Sequence, residues 1–202
     1  MIHSNHDPLT IWFFDLYFRL CMFFQFRGIE IHGEVPDKGK SILLLQNHFS
    51  WWDGYWSFYL SKRVFKRKFH VMMLEEQLRK RMFINRCGAF SVRKDSRELI
   101  ESLHYAAALL DDPNKLVCLY PQGQIQSQHR SPVTFESGAS WILKKSKADV
   151  QVCFCVSLVD YFSQPRSVVH FHLKYYEGAK TNEALEKAYN EFRNQCIKNQ
   201  HE

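Results

Sequence analysis

One short segment combines a histidine and an acidic residue at a spacing that suits general base catalysis. Within residues 47–54, His48 follows an apolar run and Asp53 lies five positions later. An imidazole exchanges protons near neutral pH, and a carboxylate on its second ring nitrogen fixes the tautomer and stabilises the imidazolium that forms. Such a pair activates the hydroxyl or amine of an acceptor for attack on an acyl thioester, so no nucleophilic serine or cysteine is needed.

A single histidine of this kind is more often a structural residue than a base, so the neighbouring motifs decide the interpretation. Arg93 ends the apolar run that begins at Gly88, residues 120–123 (Tyr-Pro-Gln-Gly) follow another, and residues 135–139 open a helical segment. In this order, the set resembles the glycerolipid acyltransferase family typified by lysophosphatidic acid acyltransferases. That family carries Asn-His-x4-Asp, a Gly…Arg block, Phe-Pro-Glu-Gly-Thr-Arg and Phe-x-x-Gly-Ala, and the resemblance covers roughly residues 41–143 plus the apolar N-terminus.

The resemblance implies roles for several residues. His48 is expected to be the catalytic base and Asp53 its partner, and the residues expected to bind substrate are Asn47, Arg93, Tyr120, Pro121, Gln122 and Gly123. The implied donor is an acyl carrier protein or coenzyme A thioester, and the implied acceptor is a lysolipid or another lipid-like molecule. No metal or prosthetic group is implied.

The third motif departs from the family pattern. Gln122, Gln124 and Ile125 stand where the family has Glu, Thr and Arg. Arginine binds phosphate through bidentate, charge-assisted hydrogen bonds, which isoleucine cannot form. This predicts an acceptor that lacks a phosphate ester, or one whose head group is held differently, with His129 and Arg130 as the nearby cations.

Three classes of function remain open from the sequence. The first is an acyltransferase, which the intact pair of His48 and Asp53 favours because a binding protein needs no base. The second is a non-catalytic relative that binds lipid or an acyl carrier, and the third is a thioesterase that activates water. A net charge of +6 suits an anionic membrane surface or an acidic carrier protein, and without a recognised module it argues against nucleic-acid binding.

Alternating strand-like and helical patterns predict the elements that hold these residues. The pattern predicts a single α/β domain with a mixed central sheet flanked by helices, over residues 28–202. A capping box of Asp95 and Glu98 predicts one helix, and Pro132 predicts the start of another. The predicted strands are residues 28–32, 41–46, 69–74, 115–120, 150–158 and 168–175.

Residues 1–27 contain an aromatic, apolar stretch that we interpret as a membrane-associating helix. Asp15 and Arg19 interrupt it, which makes a membrane-spanning helix costly, but four-residue spacing lets them pair on one helix face. An interfacial helix in the membrane plane is the favoured interpretation, and a core helix is the alternative. Six cysteines without a Cys-x-x-Cys pair and the lack of a visible secretory signal predict a peripheral or monotopic protein on the cytoplasmic face of the membrane.

Overall fold

Seven strands form one mixed sheet at the centre of the protein. In the computed structural model, which describes residues 1–93 and 97–200, the sheet order is β1-β7-β6-β2-β5-β3-β4. The strands are β1 Phe26–His32, β2 Ile42–Gln46, β3 Lys68–Leu74, β4 Ala89–Val92, β5 Lys115–Leu119, β6 Gln151–Asp160 and β7 Ser167–Tyr176. The helices are α1 Pro8–Gln25, α2 Asp53–Leu60, α3 Glu75–Arg79, α4 Met82–Arg86, α5 Arg97–Leu109, α6 Gly138–Lys145 and α7 Asn182–Lys198, and a π-helical turn spans Ser61–Phe65.

The direction of the strands places most of their carboxyl ends at one edge of the sheet. Strands β4, β3, β5, β2 and β6 are mutually parallel, whereas β7 is antiparallel to β6 and pairs in parallel with β1. The predicted α/β domain with a mixed sheet flanked by helices is therefore confirmed. Functional residues of such sheets lie in the crevice outside the carboxyl ends of the strands.

Helices cover both faces of the sheet because the central strands are apolar on both sides. Side chains alternate along a strand, so Leu43 and Leu45 pack with α5, α6 and α7, whereas Ile42 and Leu44 pack with α2. The exposed fraction of these four side chains is 0–2%. This continuous burial is typical of parallel strands with helices on both faces.

The segment before α6 differs from the prediction. The helix predicted to begin at Pro132 was placed too early, since α6 begins only at Gly138. The backbone N–H of Val133 donates to Asn190 Oδ1 over 2.8 Å, and the Asn190 amide donates back to the Val133 carbonyl over 2.8 Å. Because a side chain of α7 takes both backbone groups, this segment lies along α7 as an extended loop. The capping residue predicted for α5, Asp95, lies outside the described residues.

Helix α1 packs on the sheet through only part of its surface. Asp15 is 4% exposed and lies 2.6 Å from Lys62 Nζ and 3.7 Å from Arg19 Nη2, so the predicted pair with Arg19 is present and Lys62 adds a second cation. Before α1, Ile2 and Ser91 exchange hydrogen bonds of 2.7 and 2.9 Å, which places the N-terminal segment along strand β4. Within the described part of the chain, no helix combines the length and hydrophobicity needed to cross a membrane.

A buried histidine on β3 is expected to make the stability of the fold sensitive to acid. His70 is 2% exposed, and burial lowers its pKa to about 3, whereas histidine in an unfolded chain titrates near ~6.5. Between these pH values the unfolded state binds the extra proton, so the free energy of unfolding falls as the pH falls. Between pH 7 and pH 5, we expect wild type to lose about 2 kcal/mol more stability than His70→Gln in chemical denaturation.

His129→Gln is the matched control for this measurement. His129 is exposed, so its replacement is expected to leave the wild-type pH dependence in place. If the free energy of unfolding falls by the same amount between pH 7 and pH 5 in wild type and in His70→Gln, His70 does not cause the acid sensitivity.

Candidate functional site

His48 and Asp53 meet at the carboxyl end of β2. His48 Nδ1 lies 2.6 Å from Asp53 Oδ2, and Asp53 is the first residue of α2. The Asp53 side chain is completely buried, whereas 23% of the His48 side chain is exposed. Because Nδ1 donates to the carboxylate, Nε2 of the neutral imidazole keeps its lone pair. This nitrogen is therefore the atom that can accept a proton from a bound molecule.

The turn between the two residues holds the Asp53 carboxylate in place. Asp53 Oδ2 also accepts hydrogen bonds from the backbone N–H groups of Phe49, at 2.8 Å, and Ser50, at 2.9 Å. Burial raises the pKa of Asp53, while the hydrogen bond from His48 and the two from the backbone favour its charged form. Its second oxygen, Oδ1, has no hydrogen-bond partner among the described residues. All three of these hydrogen bonds are therefore made to Oδ2, the oxygen that faces His48.

An aromatic ring immediately after β5 supports the His48 imidazole. The Tyr120 ring stacks on it with 4.3 Å between centroids and 18° between planes. The Tyr120 hydroxyl lies 2.6 Å from Ser57 Oγ, and burial keeps this phenol neutral by raising its pKa well above the ordinary value. Ser57 was not predicted as a site residue, although its position four residues after Asp53 puts both on one face of α2.

The altered third motif holds the backbone of His48. The N–H of His48 donates to Gln122 Oε1 over 2.6 Å, and the carbonyl of His48 accepts from the N–H of Gln126 over 2.9 Å. Gln122 Nε2 also lies 3.2 Å from Gln126 Oε1. A glutamine supplies the acceptor oxygen here as a glutamate would, but without the charge. Gln126 was not singled out from the sequence, since it bonds to His48 through its backbone.

Removal of the Gln122 oxygen is expected to loosen the histidine. In Gln122→Met, the His48 N–H loses its partner, which is expected to cost about 1–3 kcal/mol of stability because an unpaired backbone donor carries a desolvation penalty. Gln122→Glu keeps an acceptor oxygen at this position and is the matched control. Chemical denaturation of the three proteins checks the result, and equal stabilities of wild type and Gln122→Met would contradict it.

Pro121 and Gly123 shape the loop around Gln122. The Pro121 carbonyl accepts from the N–H of Glu136 over 2.8 Å, and Pro121 is buried. Gly123 adopts φ +65°, and a Cβ atom there would collide with the Glu136 carboxylate. The positive φ favours glycine at this turn, and any side chain there would require the Glu136 carboxylate to move.

The Asn47 side chain bonds to the neighbouring strand β6. The Asn47 side chain is 3% exposed, and its two polar atoms form 2.8 Å hydrogen bonds with the backbone of Ser157 on β6. We interpret Asn47 as a residue that joins the ends of β2 and β6.

Arg93 follows β4 at the same edge of the sheet. Its guanidinium lies 2.6 Å from Glu75 Oε1 and 2.9 Å from Glu98 Oε1 and is 49% exposed. Strand β4 is three positions from β2, which corresponds to about 14 Å at the usual strand spacing. The structure therefore brings Asp53, Tyr120 and Gln122 into contact with His48, and places Arg93 further along the same edge.

Comparison with known proteins adds one finding. A family model described as Acyltransferase matches residues 28–156, which is more than half of the chain and includes the whole site around His48. No curated protein matches the sequence in a search.

Proposed function

The chain belongs to the acyltransferase family, and on this basis we propose that it transfers a fatty acyl group from an acyl carrier protein or coenzyme A thioester to a lipid-like acceptor. The acceptor supplies a hydroxyl or an amine. The observation that carries the proposal is the 2.6 Å contact between the buried Asp53 carboxylate and the part-exposed His48 ring.

The geometry suits general base catalysis without a covalent enzyme intermediate. His48 Nε2 takes the proton of the acceptor hydroxyl or amine as that group attacks the carbonyl carbon of the thioester. The new C–O or C–N bond forms first, the C–S bond then breaks, and the departing thiolate receives the proton from the imidazolium. Asp53 stabilises the imidazolium, and this effect is strong because burial keeps water away from the carboxylate.

The residue at position 125 indicates which type of head group the acceptor carries. Ile125 is 58% exposed and stands where relatives of this family carry an arginine for phosphate. An apolar side chain gives a phosphate ester no hydrogen bond. We therefore propose an acceptor without a phosphate ester at this position, such as a lyso-aminolipid, while the exposed His129 and Arg130 offer cations for a head group held differently.

The exposed face of α1 supports the proposal that the protein acts at a membrane surface. We propose that this surface is the cytoplasmic face of the membrane. Eight large apolar side chains of α1 are each at least 48% exposed: Leu9, Trp12, Phe13, Leu16, Tyr17, Leu20, Phe23 and Phe24. Aromatic residues favour the boundary between acyl chains and head groups, and exposed apolar patches of this kind mark interaction surfaces.

Vesicle binding tests the role of this face. Phe23 and Phe24 are 69% and 67% exposed, so Phe23→Ser/Phe24→Ser removes apolar area without a cavity in the core. Burial of one Phe side chain contributes about 1.5–3 kcal/mol of binding free energy. We therefore expect the double variant to partition into anionic vesicles at least about tenfold less than wild type in a co-sedimentation assay. Ile100→Ser, an exposed apolar residue on α5, is the control. Equal partition of the double variant and wild type would show that this face of α1 does not bind the membrane.

The reaction is tested with the purified protein, labelled acyl thioesters of both carriers, and a fractionated lipid extract. Mass spectrometry of the labelled products is expected to reveal a new acylated lipid, and a panel with lysophosphatidic acid compares acceptors. If lysophosphatidic acid is the best acceptor, the inference from Ile125 is wrong. Release of free fatty acid without any acceptor would show a thioesterase, and binding of the extract without labelled product would show a non-catalytic relative.

A further inference from the structure

Two histidines and a carboxylate converge on the outer part of the sheet, away from His48. Glu30 and His32 lie on β1, and His170 lies on the neighbouring strand β7. The register pairs Glu30 with His170, and alternation puts His32 on the same face. This face carries α7, whereas α2 with Asp53 packs on the opposite face.

The three ligand atoms form a nearly regular triangle. His32 Nε2 lies 3.2 Å from His170 Nδ1, Glu30 Oε2 lies 3.6 Å from His32 Nε2, and Glu30 Oε2 lies 3.4 Å from His170 Nδ1. In tetrahedral zinc sites with bonds of about 2.0–2.1 Å, neighbouring ligand atoms are about 3.3–3.4 Å apart. One ion next to the centre of this triangle therefore reaches all three atoms at bonding distance.

We propose that Glu30, His32 and His170 bind one divalent transition metal ion of the Zn²⁺ class. Two imidazoles with one carboxylate suit zinc, whereas Mg²⁺ and Ca²⁺ prefer oxygen ligands throughout. Two of the three ligands, Glu30 and His170, line a cavity of about 170 Å³ together with Arg27, Tyr161 and Gln164. The cavity leaves room for a water molecule as the fourth ligand and for the ion to enter.

The surroundings hold the two imidazoles in this arrangement. The His172 ring stacks on His32 with 4.6 Å between centroids, and His172 Nε2 lies 3.0 Å from Gln200 Oε1. His170 is 5% exposed, and its Nε2 has no hydrogen-bond partner among the described residues. The polar contacts of this buried ring are thus concentrated at Nδ1, the atom that faces His32 and Glu30. A cation between these atoms satisfies the lone pairs of all three.

The position of the site indicates a structural effect of the ion. Strand β1 lies at the edge of the sheet and directly follows α1, and its partner in the sheet is β7. A metal bridge between β1 and β7 joins parts of the chain that are 138 residues apart. A ligand that binds only the folded state raises the free energy of unfolding, and the increase grows with the logarithm of the free ligand concentration relative to Kd. The proposal is independent of the proposed function, since it concerns other residues and has a different readout.

Zinc titration of the full-length protein after removal of metal by a chelator tests the site. Calorimetry is expected to show one equivalent of Zn²⁺ bound, and Co²⁺ is expected to give the intense visible absorption of tetrahedral coordination. Zn²⁺ is also expected to raise the Tm of wild type. His32→Gln, a change at a 42% exposed side chain, is expected to weaken Zn²⁺ binding by at least about tenfold and to remove the increase in Tm.

His104→Gln is the matched control, because it removes a histidine on α5 whose ring packs on Trp141 and which is not part of the triangle. It is expected to keep the Zn²⁺ affinity of wild type, since it removes neither a ligand nor the ring that stacks on one. The proposal is overturned if wild type binds no Zn²⁺, or if His104→Gln loses as much affinity as His32→Gln.

Discussion

Replacement of His48 by alanine is expected to lower kcat for acyl transfer by about two to four orders of magnitude, the usual contribution of a positioned general base. The acceptor then has no group at Nε2 to take its proton as it attacks the thioester. Because 23% of the His48 side chain is exposed and its ring lies over Tyr120 rather than inside the core, the fold is expected to persist. Steady-state rates with a labelled thioester and a saturating acceptor measure the change.

Two controls separate catalysis from structure in this experiment. Circular dichroism and a wild-type Tm for His48→Ala would show that the loss is chemical. His104→Ala provides a matched histidine on α5, whose ring packs on Trp141 with 4.7 Å between centroids, and it is expected to keep wild-type kcat. If His48→Ala retains the wild-type rate, general base catalysis by this residue is wrong.

Asp53→Asn is expected to lower kcat by about two to four orders of magnitude as well. The Asn oxygen can replace Oδ2 and still accept from His48 Nδ1 and the backbone N–H groups of Phe49 and Ser50. The amide lacks the negative charge that stabilises the imidazolium. The free energy of the transition state therefore rises, while the ground-state geometry is retained. KM for the donor is expected to change little, because Asp53 is completely buried.

A double variant tests whether Asp53 acts through His48. If Asp53 positions and stabilises the imidazole, then His48→Ala/Asp53→Asn is expected to be about as slow as His48→Ala alone, since residues that act as a unit are strongly non-additive. A merely structural role would multiply the two losses.

Local spacing made much of the site predictable. The apolar run of residues 41–46 predicted a buried strand, and a histidine and an aspartate five residues apart predicted a contact across a short turn. Both features depend on neighbouring residues, whose relative positions follow from the backbone conformation of one strand and one turn. The start of α6 was not predictable in the same way, because side chains of α7 that lie 57 and 51 residues away accept from the backbone N–H groups of Val133 and Phe135, before the helix begins.

The sequence by itself determined the α/β class, the family and the pair of His48 and Asp53. Only the tertiary structure decided which distant groups surround that pair. Gln122 is 74 residues from His48, yet its amide holds the His48 backbone because β2 and β5 are neighbours in the sheet. Glu30 and His32 meet His170 because β1 pairs with β7, and no spacing along the chain indicates this pairing. Strand order and register arise from burial of the whole sheet between its helices, so contacts between strands follow from global packing rather than from local sequence.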